Sequence, residues 1–123
     1  MLNSQQQFGK DSEALAVIRL KKKGYKILEV NYRTPLGEID IIARDRQTIV
    51  FVEVKARRSG RFGNPKWAIT SKKKRTLSMA ALYYLKTTGQ TTASARFDVV
   101  SIKFATAGPE VEIIKNAFEL AYP

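Results

Sequence analysis

At 123 residues with 44% apolar side chains, the chain has the size of one globular domain, residues 1–123, able to bury roughly two-thirds of its unfolded surface. It contains no cysteine and no histidine. That excludes disulfides, thiolate zinc sites, cysteine nucleophiles, histidine triads and histidine general bases, and leaves any catalysis to carboxylates, lysines, hydroxyls and hard cations bound through oxygen.

The formal net charge is +11, and it is unevenly spread. Between Val54 and Phe97 there is no acidic residue but eleven basic ones, while the other eleven basic residues balance all eleven acids. Such polarity predicts a polyanionic partner, nucleic acid first; a solubilising surface or an affinity for anionic lipid is the plainer alternative. The opening MLNSQQQFGK has no apolar signal core, and no run approaches the ~20 residues of a membrane-spanning helix. A soluble, cytoplasmic protein with no membrane partner is expected.

In chain order, residues 11–23 read as a helix. Asp11 or Ser12 can cap it, Ala14, Leu15, Val17 and Ile18 form an apolar stripe, Lys21 to Lys23 suit the negative end of its dipole, and Gly24 stops it. Tyr25 to Arg33 reads as a strand, ended by Thr34 to Gly37. Two further strands follow, Glu38 to Ala43 and Thr48 to Lys55. Residues 56–66 read as a loop with two glycines and a proline. A second helix is expected from Ser71 to Thr87, with Leu77, Ala80, Ala81, Tyr84 and Leu85 on its buried face. Its first turn, Lys72 to Arg75, is strongly basic although the dipole prefers acids there, which hints at an external anion. Lys73 lies in line with the inward stripe. Ala95 to Phe104 reads as a fourth strand, Thr106 to Glu110 as a turn, Val111 to Ile114 as a short extra strand and the last residues as a loose tail. The predicted fold is α/β: a three-layer α-β-α arrangement with a central mixed four-stranded sheet, order α-β-β-β-α-β.

The chemistry concentrates in GEIDIIARDRQTIVFVEVK, residues 37–55. Strand side chains alternate between faces, so Glu38 and Asp40 share a face of one strand, and Phe51, Glu53 and Lys55 share a face of the next. A two-residue loop at Arg46 and Gln47 sets Asp40 opposite Glu53 and Glu38 opposite Lys55, while a one-residue slip would turn Asp40 away. Two acids and a lysine at the end of an apolar strand suit a hard cation such as Mg²⁺. Asp40 and Glu53 would be its ligands. Lys55 would hold the attacking water or stabilise transition-state charge, and Glu38 would be an outer ligand or a partner of Lys55. The plainer alternative is a solvated strand face with an ordinary ion pair.

The stretch GEIDIIARDRQTIVFVEVKAR closely resembles the hallmark of the YraN-like family of bacterial proteins, and the resemblance covers almost the whole chain. It takes in Phe8, Gly9, Glu13 and Ala16, then Gly24, Tyr25 and Asn31 to Arg33, then Phe62, Gly63, Lys73, Ala80 and Ala81. It continues through Arg96 to Val100 and on to Ala117 and Phe118. That family in turn resembles the PD-(D/E)xK nucleases, which include restriction endonucleases and Holliday junction resolvases. The resemblance implies a restriction-endonuclease-like fold with Asp40 as the metal-binding aspartate, Glu53 as the second acid and Lys55 as the lysine. Glu13 then matches a helix glutamate that reaches the metal through water; otherwise it is a first-turn acid favoured by the helix dipole. Lys73 matches a position that often faces the site. Ser12 and Ile113 depart from the pattern, standing where members usually carry glycine and often histidine.

After Lys55, the basic residues Arg57, Arg58, Arg61 and Lys66, with Lys72, Lys73, Lys74 and Arg75, are candidate phosphate contacts. Phe62 or Trp67 is a candidate for base stacking, with packing under the second helix as the alternative for Trp67. Asp98 reads as structural. The expected function is a Mg²⁺-dependent endonuclease, with Mn²⁺ as substitute, hydrolysing DNA rather than RNA, branched or structured DNA included. The alternatives are a nucleic-acid-binding protein on a nuclease fold with little or no activity, and a small RNA- or ribosome-associated factor. Resolvases of this fold act as dimers, so a homodimer is allowed, although no residue marks an interface.

Overall fold

The computed structural model describes residues 1–58 and 69–120. Their elements run α1 (Ser4–Lys22), β1 (Lys26–Thr34), β2 (Gly37–Asp45), β3 (Thr48–Arg58), α2 (Ser71–Thr87), β4 (Ala95–Ala105) and β5 (Gly108–Phe118). The strands form one open sheet in the order β1-β2-β3-β4-β5. Only the β3–β4 pair is parallel, as the α2 crossover between them requires; the other neighbours are antiparallel. Among the described residues no helix is long and apolar enough to cross a membrane.

Alternation along β3 builds two cores. Ile49 and Phe51 pack with Leu77, Ala80, Ala81, Tyr84 and Leu85 of α2 and with Phe97 and Val99 of β4. Val50 and Val52 pack with Ala16 and Leu20 of α1, Ile41 and Ala43 of β2, and Val100 and Ile102 of β4. Because β3 and β4 are apolar on both sides, they read as near-continuous hydrophobic runs.

Helix α1 begins at Ser4 and not near residue 11 as the sequence suggested. The cap is Asn3, whose side chain accepts the Gln6 N–H at 2.8 Å while the Gln6 side chain accepts the Asn3 N–H at 3.0 Å. Ser12 therefore caps nothing: it is buried mid-helix and donates its hydroxyl to the Phe8 carbonyl at 2.7 Å. Helix α2 has the expected limits, with the Thr70 side chain accepting the Lys73 N–H.

The fifth strand is the main departure from the expected four-stranded sheet. The segment after residue 107 runs back along β4 as a full edge strand, where a short strand and a loose tail were expected. Phe118 stacks on Phe97 with ring centroids 4.6 Å apart, and Asp98 of β4 accepts the Asn116 N–H at 2.9 Å. A register shift opposite Phe97 and Val99 interrupts the period-two pattern of β5, which hides the strand from a sequence reading. Asp98 itself is fully buried and accepts from Tyr25 Oη at 2.8 Å and from Arg96 Nε at 2.9 Å.

Candidate active site

The β2–β3 hairpin has the expected turn at Arg46 and Gln47, and the register runs from Asp45↔Thr48 to Ile41↔Val52. There it stops. Beyond that point β2 stays with β1 as far as Thr34↔Gly37, while β3 stays with β4 as far as Arg58↔Phe104. The two strands part at the step that carries Asp40 and Glu53. Asp40 Oδ2 accepts the Val54 N–H at 2.8 Å, so a side-chain oxygen takes the donor that a continued ladder would have given to a carbonyl.

A second irregularity coincides with the first. Ile39 and Ile41 are two residues apart and would share a face in a regular strand, yet Ile39 packs in the α2-side core and Ile41 in the α1-side core. Of their β1 partners, Tyr32 packs against the α2-side core with Ile39, while Val30 is exposed; the change of sides in β2 falls at Asp40, across from Asn31. Asn31 carries a left-handed φ of 54°. This switch opens Asp40 to groups from both layers: Glu53 from the α2 side of β3, and Glu13 from α1.

Glu53 is 8% exposed, and its Oε1 is buried with no hydrogen-bond partner among the described residues. Its carboxyl feels the charge of the nearby Asp40 carboxyl. Burial, and then the neighbouring Asp40 charge, push it up to about 8 against the opposing pull of Lys73 and Lys55. Lys73 Nζ lies 3.7 Å from Glu53 Oε2. Lys55 is exposed, two residues along the same face of β3.

Glu13 stands well inside α1, whose first turn holds no acid, so the dipole account of this residue fails. Its carboxyl is half-buried and is held above the ordinary carboxylate range, chiefly by burial and then by the Asp40 charge. Glu38 does not meet Lys55. The expected pair lies beyond the end of the β2–β3 ladder, and Glu38 instead approaches Arg33, its β1 partner, at 3.8 Å.

The basic residues divide. Arg57 shares the α2-side face with Glu53 and Lys55, whereas Arg58 faces the other layer, its guanidinium 4.2 Å from the centre of the Phe8 ring. Lys72, Lys73 and Arg75 are exposed on the first turns of α2, and Lys74 leans over Phe118 with Nζ 5.8 Å from the ring centre. Arg96 binds Asp98 and Asp45 and is not available to a ligand. Arg61, Lys66, Phe62 and Trp67 lie outside the described residues. The sequence reading named Asn31 only within the family resemblance and gave it no role, although an asparagine inside a β-branched and aromatic run marks an irregular strand position.

Asp40 and Glu53 offer a hard cation two oxygen donors, one of them a buried atom without a partner. Among the described residues no three carboxyl groups close on one point, so the remaining positions would fall to water or substrate oxygen. Fold and site together define an α/β protein that gathers carboxyl groups and two lysines where neighbouring sheet strands part.

Comparison with known proteins is consistent across the chain. Residues 12–102 match the uncharacterised protein family UPF0102, and the chain belongs to that family. It is 54% identical over 119 residues to a UPF0102 protein of Desulfosudis oleivorans, covering 97% of this chain and 95% of the relative. It is 56% identical over 114 residues to one from Geobacter metallireducens, covering 93% of each chain. A UPF0102 protein of Syntrophus aciditrophicus is 51% identical over 114 residues, covering 93% of this chain and 90% of the relative.

Proposed function

We propose that this protein is a cytoplasmic, Mg²⁺-dependent endonuclease of restriction-endonuclease-like fold that hydrolyses phosphodiester bonds in DNA, branched or structured DNA included, with Mn²⁺ able to replace Mg²⁺. One observation carries this: Asp40 and Glu53 are held together at the parting of β2 and β3, and one Glu53 oxygen is buried without a described partner. Burying two acids side by side is costly unless a proton or a cation joins them.

Oxygen-only ligation by two carboxylates, with positions left for water and phosphate, fits Mg²⁺. When bound there, the ion would supply a more acidic water and neutralise charge building on phosphorus. The chain's own groups do the remaining work. The Val54 N–H fixes the orientation of Asp40. Lys55, exposed at the mouth, holds the attacking water or stabilises charge in the transition state. Lys73 draws the scissile phosphate towards Glu53, and Arg57, Lys72, Lys74 and Arg75 hold flanking phosphates.

A second reading, a nucleic-acid-binding protein with little or no activity, is favoured by the lack of a closed three-carboxylate group among the described residues. Cleavage of labelled supercoiled plasmid, linear duplex, flap, four-way junction and single strand with Mg²⁺ or Mn²⁺ separates the two. The nuclease reading expects metal-dependent cutting by the wild type that Glu53→Ala and Lys55→Ala abolish. No cutting, with equal binding by wild type and variants, would establish the binding protein instead.

A further inference from the structure

The first turns of α1, from Ser4 to Lys10, stand almost clear of the rest of the chain. Among residues 1–11 only Phe8 is other than exposed, and the Asn3–Gln6 box holds this part of the helix in shape. The Phe8 ring lies on Phe104, near the end of β4, with centroids 5.1 Å apart and planes at 58°. Over it rests the guanidinium of Arg58, the last residue of β3, with Cζ 4.2 Å from the ring centre. Phe104 is the β4 partner of Arg58, so the three side chains form one cluster over the paired ends of the two strands.

Packing alone does not ask for an arginine here. Any apolar side chain at position 58 would cover the Phe8 ring, and an exposed arginine ordinarily stays in water. Arg33 and Arg96, by contrast, lie against carboxylates. A guanidinium stacked on a ring uses its face, while its N–H donors lie in its plane and stay available to a phosphate. The ring also restricts the side chain beforehand, so less rotamer freedom is lost when a ligand fixes it. Arg57, one residue earlier, shares the α2-side face with Glu53 and Lys55. The two arginines that end β3 therefore reach opposite faces of the sheet.

We propose that nucleic acid runs over the C-terminal end of β3 from the candidate active site to the α1 layer, that Arg58 binds a backbone phosphate there, and that Phe8 is its positioning residue. This rests on the nucleic-acid reading of the basic residues and not on a cation at Asp40 and Glu53. Arg58 lies about 17 Å beyond Glu53 at the usual strand rise. That is too far to touch the bond being cut, so its effect falls on affinity.

The test is binding of a labelled DNA duplex and a labelled four-way junction in EDTA, by fluorescence anisotropy across a salt series, with a melting curve for each variant. Arg58→Ala should flatten the slope of log affinity against log salt concentration by about one, a single phosphate contact being lost. Phe8→Leu, which fills the space but removes the ring, should keep the slope and weaken binding about three- to fivefold. It should add no loss in the Arg58→Ala background, and Phe8→Tyr should restore the affinity. Arg58→Lys keeps the charge without the planar fork and should match Phe8→Leu, whether or not the latter is stable enough to assay. Wild-type affinity in Phe8→Leu or Arg58→Lys, or a Phe8→Leu loss that persists without Arg58, would overturn the positioning role. A wild-type slope in Arg58→Ala, or a need for Arg58 with phosphatidylglycerol vesicles and not with DNA, would overturn the contact itself. If the wild type binds neither DNA, the nucleic-acid reading falls, and this inference falls with it.

Discussion

Glu53 sits where a strand emerges from the core, and its carboxyl is pushed up to about 8 by burial and by Asp40. Between its ordinary value of 4.5 and about 8, the folded chain holds a proton that the unfolded chain has released. Stability therefore falls as pH rises through that window and levels off above it, at a rate of up to about 1.4 kcal/mol per pH unit. Glu53→Gln, which cannot ionise, should lack this slope. In EDTA it should gain on wild type from pH 5 to pH 9 by a few kcal/mol, read from denaturant midpoints. A cation must displace the same proton, so Mn²⁺ affinity should rise with pH up to about 8, by up to tenfold per unit, and one proton should leave per ion bound. Calorimetry in two buffers of different ionisation enthalpy would count it.

At the scale of elements, the site depends on how α2 is seated. Gly37 ends the β1–β2 turn with φ 156°, and a Cβ there would lie 2.5 Å from Thr76 Cγ2 and 3.1 Å from the Thr76 carbonyl oxygen. Thr76 is one turn beyond Lys73 in the same helix. Gly37→Ala should cost about 1–3 kcal/mol by denaturant unfolding, because neither a β-branched side chain nor a helix carbonyl can move aside without shifting the helix. Arg96 ties β4 to β2 through Asp98 and Asp45, and its partner Asp98 is wholly buried. Arg96→Ala would leave that carboxylate without its counter-charge, held only by the Tyr25 hydroxyl and the Asn116 N–H, and should destabilise by about 3–5 kcal/mol.

For the whole molecule, the charge excess belongs to one segment of the chain, from Val54 to Phe97, and the start of α2 carries four of its eleven basic residues. Alanine at Lys72, Lys73, Lys74 and Arg75 together should lower nucleic-acid affinity at low salt. It should also flatten the slope of log affinity against log salt concentration by roughly three to four, as expected when about that many phosphate contacts are lost. Filter binding across a salt series would measure it. A slope equal to that of wild type would move the interface away from the start of α2.

Much of this was legible in the chain. Hydrophobic periodicity located β2, β3, β4 and α2, and the hairpin register followed from the Arg46–Gln47 turn, because a period of two leaves little freedom once one face must be buried. That register already set Asp40 opposite Glu53, and the likeness of residues 37–55 to a family hallmark implied their roles. Other features depended on contacts between elements. Helix α1 extends back to Ser4 through an Asn3–Gln6 box whose residues look like a polar tail. Strand β5 is held by Phe97, Asp98 and its bulge, which erase its alternation. Glu38 turned to Arg33 because the β2–β3 ladder ends one step before the acids, a break that no local pattern announces. The sequence by itself determined which residues alternate inwards and which charges travel together. Only the tertiary structure decided where the sheet divides, since strand pairing is a competition between partners distant in the chain, and that division is what brings Glu13, Asn31, Asp40, Glu53 and Lys73 to one place.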